Sequence, residues 1–463
     1  MPTPRPLPRY RSDPTKVRVD THGPSGVSVV VDRVLFVFGA VYAAWFAVLL
    51  LRLSLDLDWW HLAYLVAFWV ITAYLALPRL HRVLTEIYVP EYFIGRVRTA
   101  DGLLGDPVNL AVRGSAEQID AVMRQAGWVV ADPITVRTSW RIITGSVTGR
   151  SYPQAPVSSL FLFGRQQDVA FQQEVADSPA KRHHVRLWRC PQGWFLPGGH
   201  QVDWVAAGTY DRAVGLSLFT LQVTHKIDAD TDAERDYIVD TVRATDLPVS
   251  VDVIADFSTG YHHRNGGGDA IHTDGDLPVL DVTSVVVPDP PPDLEPDVAA
   301  ASWVTRSSED DQANNAVPPR PAVFLVAVGA IALGALLQVL GVLVGALQVD
   351  LGDGTLASRF ALASITALVQ AVVQVPMLVL ILRGHAWARY VVLVGLTLDG
   401  AIAMVAPSLE LGALGPLQLL LTSTSIVALL ALSDRSASRW LAALRADRRA
   451  RRARRRSAAG APA

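Results

Sequence analysis

Six apolar stretches constrain this 463-residue chain more than any other feature. Each comes close to the roughly 20 residues that cross a bilayer as a helix. They cover residues 35–51, 59–77, 322–347, 361–382, 390–406 and 414–432. Charged residues are 18% of the chain, against roughly 25% in soluble domains, and the deficit lies in these stretches. The first two are joined only by RLSLDLD, and no small-residue cleavage site follows the first. The pair reads as a membrane hairpin, not a signal peptide. Trp59 and Trp60 suit the membrane–water interface. This reading excludes a purely soluble protein.

Basic residues orient the spans. The N-terminal arm carries Arg5, Arg9, Arg11, Lys16, Arg18 and Arg33. Arg79 and Arg82 follow the second stretch, Arg320 precedes the third, and Arg383 and Arg389 bracket the turn before the fifth. The opposite loops hold Arg52 against Asp56 and Asp58, then Asp350 and Asp353 with Arg359, then Glu410. Six spans with both termini and the central region in the cytoplasm satisfy this pattern. Residues 439–456 hold nine arginines against Asp447. They act as a positive-inside signal or lie on anionic headgroups, at about 1 kcal/mol per basic group. With a formal charge of −2 and no aromatics among the arginines from Arg445 onward, no specific nucleic-acid partner is expected. The single cysteine, Cys190, excludes an intramolecular disulfide and a Cys-rich metal site.

The expected fold class is a six-span membrane α-helical protein with an inserted cytoplasmic α+β domain. The divisions are a basic arm (1–33), a transmembrane hairpin (34–78), the α+β domain (79–290), a Pro- and acid-rich linker (291–321), a four-span bundle (322–433) and an Arg-rich tail (434–463). In the domain, Ser115 and Gln118 predict a capping box for a helix with Ile119, Val122 and Met123 inward. TVRTSWRIITGSVTG reads as a second helix. VAFQQEV, HHVRLWRC, WVAAGTYDR and LSLFTLQVTHKI read as strands. DADTDAERDYIVDTVRA reads as a helix capped by Thr231 and Glu234, burying Ile238, Val239 and Val242. LPVSVDVIADF reads as a strand, and YHHRNGGGDAIHTDGD as a surface loop whose glycines favour mobility.

Four long segments carry a resemblance. YPQAPVSSLFLFGRQQDVAFQQEV, SPAKRHHVRLWR, WVAAGTYDRAVGLS and THKIDADTDAERDYIVD resemble the LssY C-terminal domain family. The likeness covers roughly residues 105–245. Such domains occur in bacteria, often attached to membrane segments and sometimes to phosphatidic-acid-phosphatase-like domains. The resemblance implies a bacterial inner-membrane location and no particular activity. The lipid-phosphatase signatures are missing: there is no PSGH, and the PGGH ending at His200 stands without companions.

Seven of the eleven histidines fall between His183 and His272. With Asp203, Asp211, Asp228, Asp230, Asp232, Glu234 and Asp236 nearby, they suit a divalent metal. His183 and His184 sit side by side on a predicted strand, so they point to opposite faces. The metal candidates are His183, His184, His225 and Asp228. The catalytic candidates are His184, His225, Asp228, Arg186 and Arg212. Arg186 shares the face of His184, and an arginine and a histidine beside the Tyr210–Asp211–Arg212 turn would hold a phosphate and protonate a leaving group, or else form a solvated sheet face. No pair has HExxH spacing, and Asp228, Asp230 and Asp232 lack the glycine and final glutamate of a calcium loop. Within the spans, Asp399, Gln370 and Gln374 stand out, as does the run Thr422 to Ser425. The first expectation is a membrane-anchored binding or regulatory module. Its partners would be the bilayer, anionic headgroups or a membrane protein. Two alternatives stand beside it: a His/Asp-dependent hydrolase of a phosphorylated or lipid-linked substrate, and a transport component built on the C-terminal bundle.

Overall fold

A computed structural model describes residues 27–55, 61–89, 92–132, 156–175, 178–258, 263–287, 303–304, 320–348, 361, 372–374, 376–405, 416–434, 436–438, 440–445 and 448. They divide into two compact units, one centred on residues 85–313 and one drawn from 23–84 and 314–463. The expected helix over 135–149, with Trp59, Trp60 and Gln370, lies outside the described residues. Helix α1 (Val27–Leu53) begins before the expected stretch and takes in Asp32. Helix α2 (His61–Ile71) passes through a π-helical turn, Thr72–Ala76, into α3 (Leu77–Tyr88), instead of ending near residue 77. Pro78 accounts for the turn, since it has no N–H to offer the carbonyl of Tyr74. Arg79 Nη1 donates to that carbonyl at 2.6 Å.

The α+β unit opens with β1 (Arg96–Thr99), β2 (Leu104–Pro107) and β3 (Leu110–Arg113). Helix α4 (Ala116–Gln125) follows, capped by Ser115 and Gln118 as expected. Then come β4 (Val129–Val130), β5 (Leu160–Leu162), β6 (Arg165–Gln166), β7 (Val169–Val175), β8 (Ser178–Arg189), β9 (Trp204–Leu216) and β10 (Val223–Ile227). Helix α5 (Thr231–Arg243), β11 (Ser250–Ile254) and β12 (Leu277–Asp281) complete it. The large sheet has the order β11-β12-β3-β9-β8-β7-β4, with β10 beside β9; a small sheet has the order β2-β1-β5-β6.

Strand alternation sorts the large sheet into two faces. Val185 and Leu187 of β8 bury with Ile119, Val122 and Met123 of α4 and Ile238, Val239 and Val242 of α5. Trp188 faces the other way, in a core with Val97, Leu160 and Leu162 of the small sheet. Gly208 lets α5 approach closely: a Cβ there would stand 2.3 Å from Ile238 Cδ1. Asn109 donates to the carbonyls of Gly208 and Thr231 and accepts from Gly208 N, which fastens β9 to the start of α5.

Three expectations change here. The cap of α5 is Asp230, which accepts from the N–H groups of Asp232 and Ala233. It stands one residue earlier than Thr231, whose hydroxyl donates to the His272 carbonyl, and Glu234 is taken by another partner. The described part of the Gly/His-rich loop is docked, not free. Gly266 N donates to the Leu104 carbonyl, and Asp269 pairs with Lys226 at 3.1 Å. Trp303 of the expected linker is buried edge-on against Phe171 and Trp204, its Nε1 donating to Asp120.

The other unit continues with α6 (Ala322–Gln348), α7 (Ala386–Val405) and α8 (Pro416–Ser433). Five helices among the described residues are long and apolar enough to cross a membrane: Val30–Leu53, Leu62–Tyr88, Val323–Leu343, Ala386–Val405 and Pro416–Ser433. The expected fourth span is described only in part. Small residues set the packing. A Cβ on Gly39 would meet Leu430 at 2.9 Å, and one on Gly400 would meet Tyr42 at 2.8 Å. The hydroxyls of Thr422, Ser423 and Thr424 donate to carbonyls of their own helix. Asp399 is half-buried near Tyr42, and Gln374 is half-buried. The start of the expected tail is not wholly free: Trp440 and Leu441 are buried, Trp440 against Phe324.

Candidate functional site

The polar residues of β8 and its neighbours converge on the face of the large sheet that carries Trp188. Arg182, His184 and Arg186 share the face of Trp188 by alternation. The register sets Gln172 and Thr209 on either side of His184, and Asp211 opposite Arg182. From the small sheet, β2 adds Asp106. All seven of these side chains are buried. Where Trp188 meets an apolar lid, Arg186 meets Asp106 at 2.8 Å, and its Nε and Nη2 reach the carbonyl and hydroxyl of Ser158. Arg96 donates to the carbonyls of Gly105 and Arg264 beside Asp106, and burial pulls its guanidinium down to about 10.

His184 is 3% exposed. Its Nε2 lies 2.7 Å from Thr209 Oγ1 and its Nδ1 lies 3.6 Å from Asp211 Oδ2. Burial, then Arg186 and Arg182, holds its pKa well below the usual histidine range. His225 Nδ1 lies 3.5 Å from the same Asp211 oxygen, and its side chain is 41% exposed, so it marks the mouth of the cluster. Burial and the two arginines bring His225 down to about 4. Both rings are therefore neutral near pH 7. Asp211 is pushed up to about 7, because burial outweighs the pull of Arg186 and Arg182.

Arg182 is the residue least provided for. It is 7% exposed, with Nη1 3.4 Å from Gln172 Oε1 and Nη2 3.4 Å from His225 Nε2. Its Nε has no hydrogen-bond partner, and among the described residues no carboxylate lies within ion-pair distance of it.

The expected site residues separate. His184, His225 and Arg186 come together. His183 points to the helix face, 2.6 Å from Glu234 and stacked on Tyr237. Asp228 is not part of the cluster; its Oδ1 accepts from Asp230 N in the turn leading to α5. Arg212 is exposed. Asp211 holds the position expected of Asp228, and Asp106, Arg182, Thr209 and Gln172 complete the group. Alternation from His184 reaches Arg182, but nothing local in the sequence points to Asp106.

Among the described residues no group of three or more His, Cys, Asp or Glu is arranged to hold a metal. Arg182 and Arg186 bring two positive charges to the place where His184, His225 and Asp211 meet, which works against a divalent cation there. The cavity between α4, α5 and the sheet is lined by apolar side chains such as Leu110, Met123 and Val242, and belongs to the core. Cys190 is pushed up to about 12, mainly by burial, so its thiol stays protonated at neutral pH.

Residues 86–277 match the family model of the LssY C-terminus, a wider span than the quoted segments cover. No curated protein and no solved structure matches the chain.

Proposed function

We propose that this member of the LssY C-terminal family is a membrane-anchored binding module whose central domain takes a phosphoryl-type oxyanion at Arg182. Arg182 itself carries the reading. A buried guanidinium with no carboxylate at ion-pair distance among the described residues is costly. An oxyanion matches its planar fork of donors and would meet the unpartnered Nε. His225, half-exposed beside it, serves as the entrance. Arg186 is committed to Asp106 and contributes field, not a free bond. The five apolar helices support the anchoring. The basic residues Arg79, Arg82, Arg320 and Arg383 support six spans in a bacterial inner membrane, with the domain and both termini in the cytoplasm. A lipid headgroup phosphate and a phosphorylated solute share the required chemistry.

Sulfate tests this, because its charge is constant over the working range. Wild-type protein in nanodiscs is expected to be stabilised by sulfate in thermal unfolding, with Arg182→Gln weakening binding by roughly 10- to 100-fold, the worth of one charge-assisted contact. Equal sulfate binding by wild type and a folded Arg182→Gln protein would sink the proposal.

The pH dependence has a defined sign. Below about 7 Asp211 holds a proton, and above it a carboxylate stands opposite Arg182. His184 and His225 stay neutral across that window. Sulfate affinity is therefore expected to fall as pH rises from 6 to 8 (roughly one unit either side of the midpoint), and Asp211→Asn to flatten the profile. Asp211 by itself contributes stability that falls as pH rises toward about 7, since its folded carboxyl keeps a proton that the unfolded chain has lost. His184 and His225, held neutral, contribute in the opposite sense below the ordinary histidine range. An affinity that is level in wild type would remove Asp211 from the site.

A further inference from the structure

The second half of β9 leaves the large sheet. Its pairing with β8 ends at Asp211, and residues from Ala213 to Leu216 pair with β10. The product is a two-stranded ribbon closed by the turn from Ser217 to Gln222. The turn is ordered from within. The buried Ser217 hydroxyl accepts from the N–H groups of Phe219 and Thr220, Ser217 N donates to the Gln222 carbonyl, and Leu221 N donates to the Ser217 carbonyl. Leu221 is held at φ 58°, a region that a leucine rarely adopts. Leu218 N donates to the Gly267 carbonyl, which ties the turn to the docked loop.

What this ribbon displays is apolar. Leu218 is 69% exposed, and Val214, Leu216, Phe219, Leu221 and Val223 are all exposed as well. Leu216 stands directly opposite Val223, and Val214 opposite His225, so three of these residues form a stripe on one face. The same face leads to the cluster: His225 lies two residues beyond Val223, about 7 Å along the strand. From Arg212 to Lys226 there is no acidic residue. At the ribbon's base, Lys181 and Arg212, which adjoin the last β8–β9 pair of Arg182 with Asp211, are both exposed. Neither has a carboxylate within ion-pair distance among the described residues.

An apolar tip above a base with exposed Arg212 and Lys181, and no acid in the ribbon between Arg212 and Lys226, matches a bilayer surface, with hydrocarbon inside and phosphate at headgroup depth. The chain keeps the domain close to one. Tyr88 ends a helix long and apolar enough to cross a membrane, and Arg96 begins β1 eight residues later, no more than about 30 Å at full extension. We propose that the β9–β10 ribbon seats its tip, Leu218, Phe219 and Leu221, in the acyl–headgroup boundary of the membrane that anchors the chain. Arg212 and Lys181 then face lipid phosphates, and His225 lies near headgroup level. The proposal rests on the apolar helices spanning a bilayer, and not on oxyanion binding at Arg182.

Full-length protein carrying Cys190→Ser and Phe219→Cys, labelled with an environment-sensitive fluorophore, tests it in nanodiscs holding one chain each. Asp240→Cys, on the exposed face of α5, is the reference. If Cys190→Ser fails to fold, Cys190 is kept, since its protonated thiol labels slowly. The label at 219 is expected to be quenched several-fold more strongly by doxyl-lipids than the label at 240, and several-fold less by iodide. Phosphatidylglycerol should deepen the contrast, and Arg182→Gln should leave it unchanged. Iodide quenching at 219 equal to that at 240, in chains that have entered the disc, would overturn the ribbon's role while leaving the spans and the sulfate result standing. Shielding found only in discs with two chains would overturn it too, by assigning the stripe to a second copy.

Discussion

Arg186→Ala is expected to cost the α+β domain about 3–5 kcal/mol, the usual penalty for removing one member of a buried ion pair. Arg186 and Asp106 are both buried and stand 2.8 Å apart, so the substitution strands a carboxylate under the small sheet and empties the space above Ala207. The Ser158 carbonyl loses a donor as well. For a domain of this size each kcal/mol moves the melting temperature by roughly 2–4 °C, so a fall of roughly 6–20 °C is expected. Hydrogen exchange in full-length protein should show the loss across β7, β8 and β9. Replacing both partners, Arg186→Met with Asp106→Leu, should recover most of it, because apolar groups of similar volume carry no desolvation cost. A loss under about 1 kcal/mol would mean that water screens the pair as it does at a surface.

This pair lies beyond the reach of local sequence signals. Alternation along HHVRLWR assigns Val185 and Leu187 to one face and His184 and Arg186 to the other, and the structure keeps that division. In many sheets a face bearing arginine and histidine meets water, so the sequence alone leaves it as either a solvent face or a phosphate-holding site. It is covered because residues 96–107 and 160–166, remote in the chain, fold over it as a second sheet. Asp106 acquires its role only through that long-range contact. Asp228 attracts notice for the reason Asp106 escapes it, being three residues from His225 in sequence. The chain turns between them into α5, and the carboxylate serves the turn. Local signals fared better where the physics is local. The Ser115–Gln118 box and the inward stripe of α5 are as expected, since both depend on residues within one or two turns. The cap of α5 shifted by one residue because Asp230, a stronger acceptor, precedes Thr231. Trp303 stands alone in a polar segment, where no periodicity marks it for burial.

The helical unit holds a second buried pair whose loss is expected to be as severe. Asp32 and Arg389 are 2.8 Å apart, with side-chain exposures of 9% and 2%. Arg389 also donates through Nε to the Leu432 carbonyl, and Ser438 donates to the other Asp32 oxygen. One guanidinium thus joins the start of α1, the start of α7 and the end of α8. Arg389→Ala leaves a buried carboxylate without its guanidinium and a carbonyl with no donor in place of Arg389, at about 3–5 kcal/mol. Lysine has a compact ammonium where arginine has a fork, so Arg389→Lys is expected to keep the Asp32 contact, lose the one to Leu432, and fall between. Asp32→Asn with Arg389→Gln removes both charges and should cost less than Arg389→Ala alone. The fraction of protein that stays monodisperse after heating in detergent ranks the four chains. If Arg389→Ala matched the double variant, the stranded carboxylate would not be the source of the cost. The unit would then be held by its close helix contacts, Gly39 on Leu430 and Gly400 on Tyr42, with the ion pair only filling the space at their end.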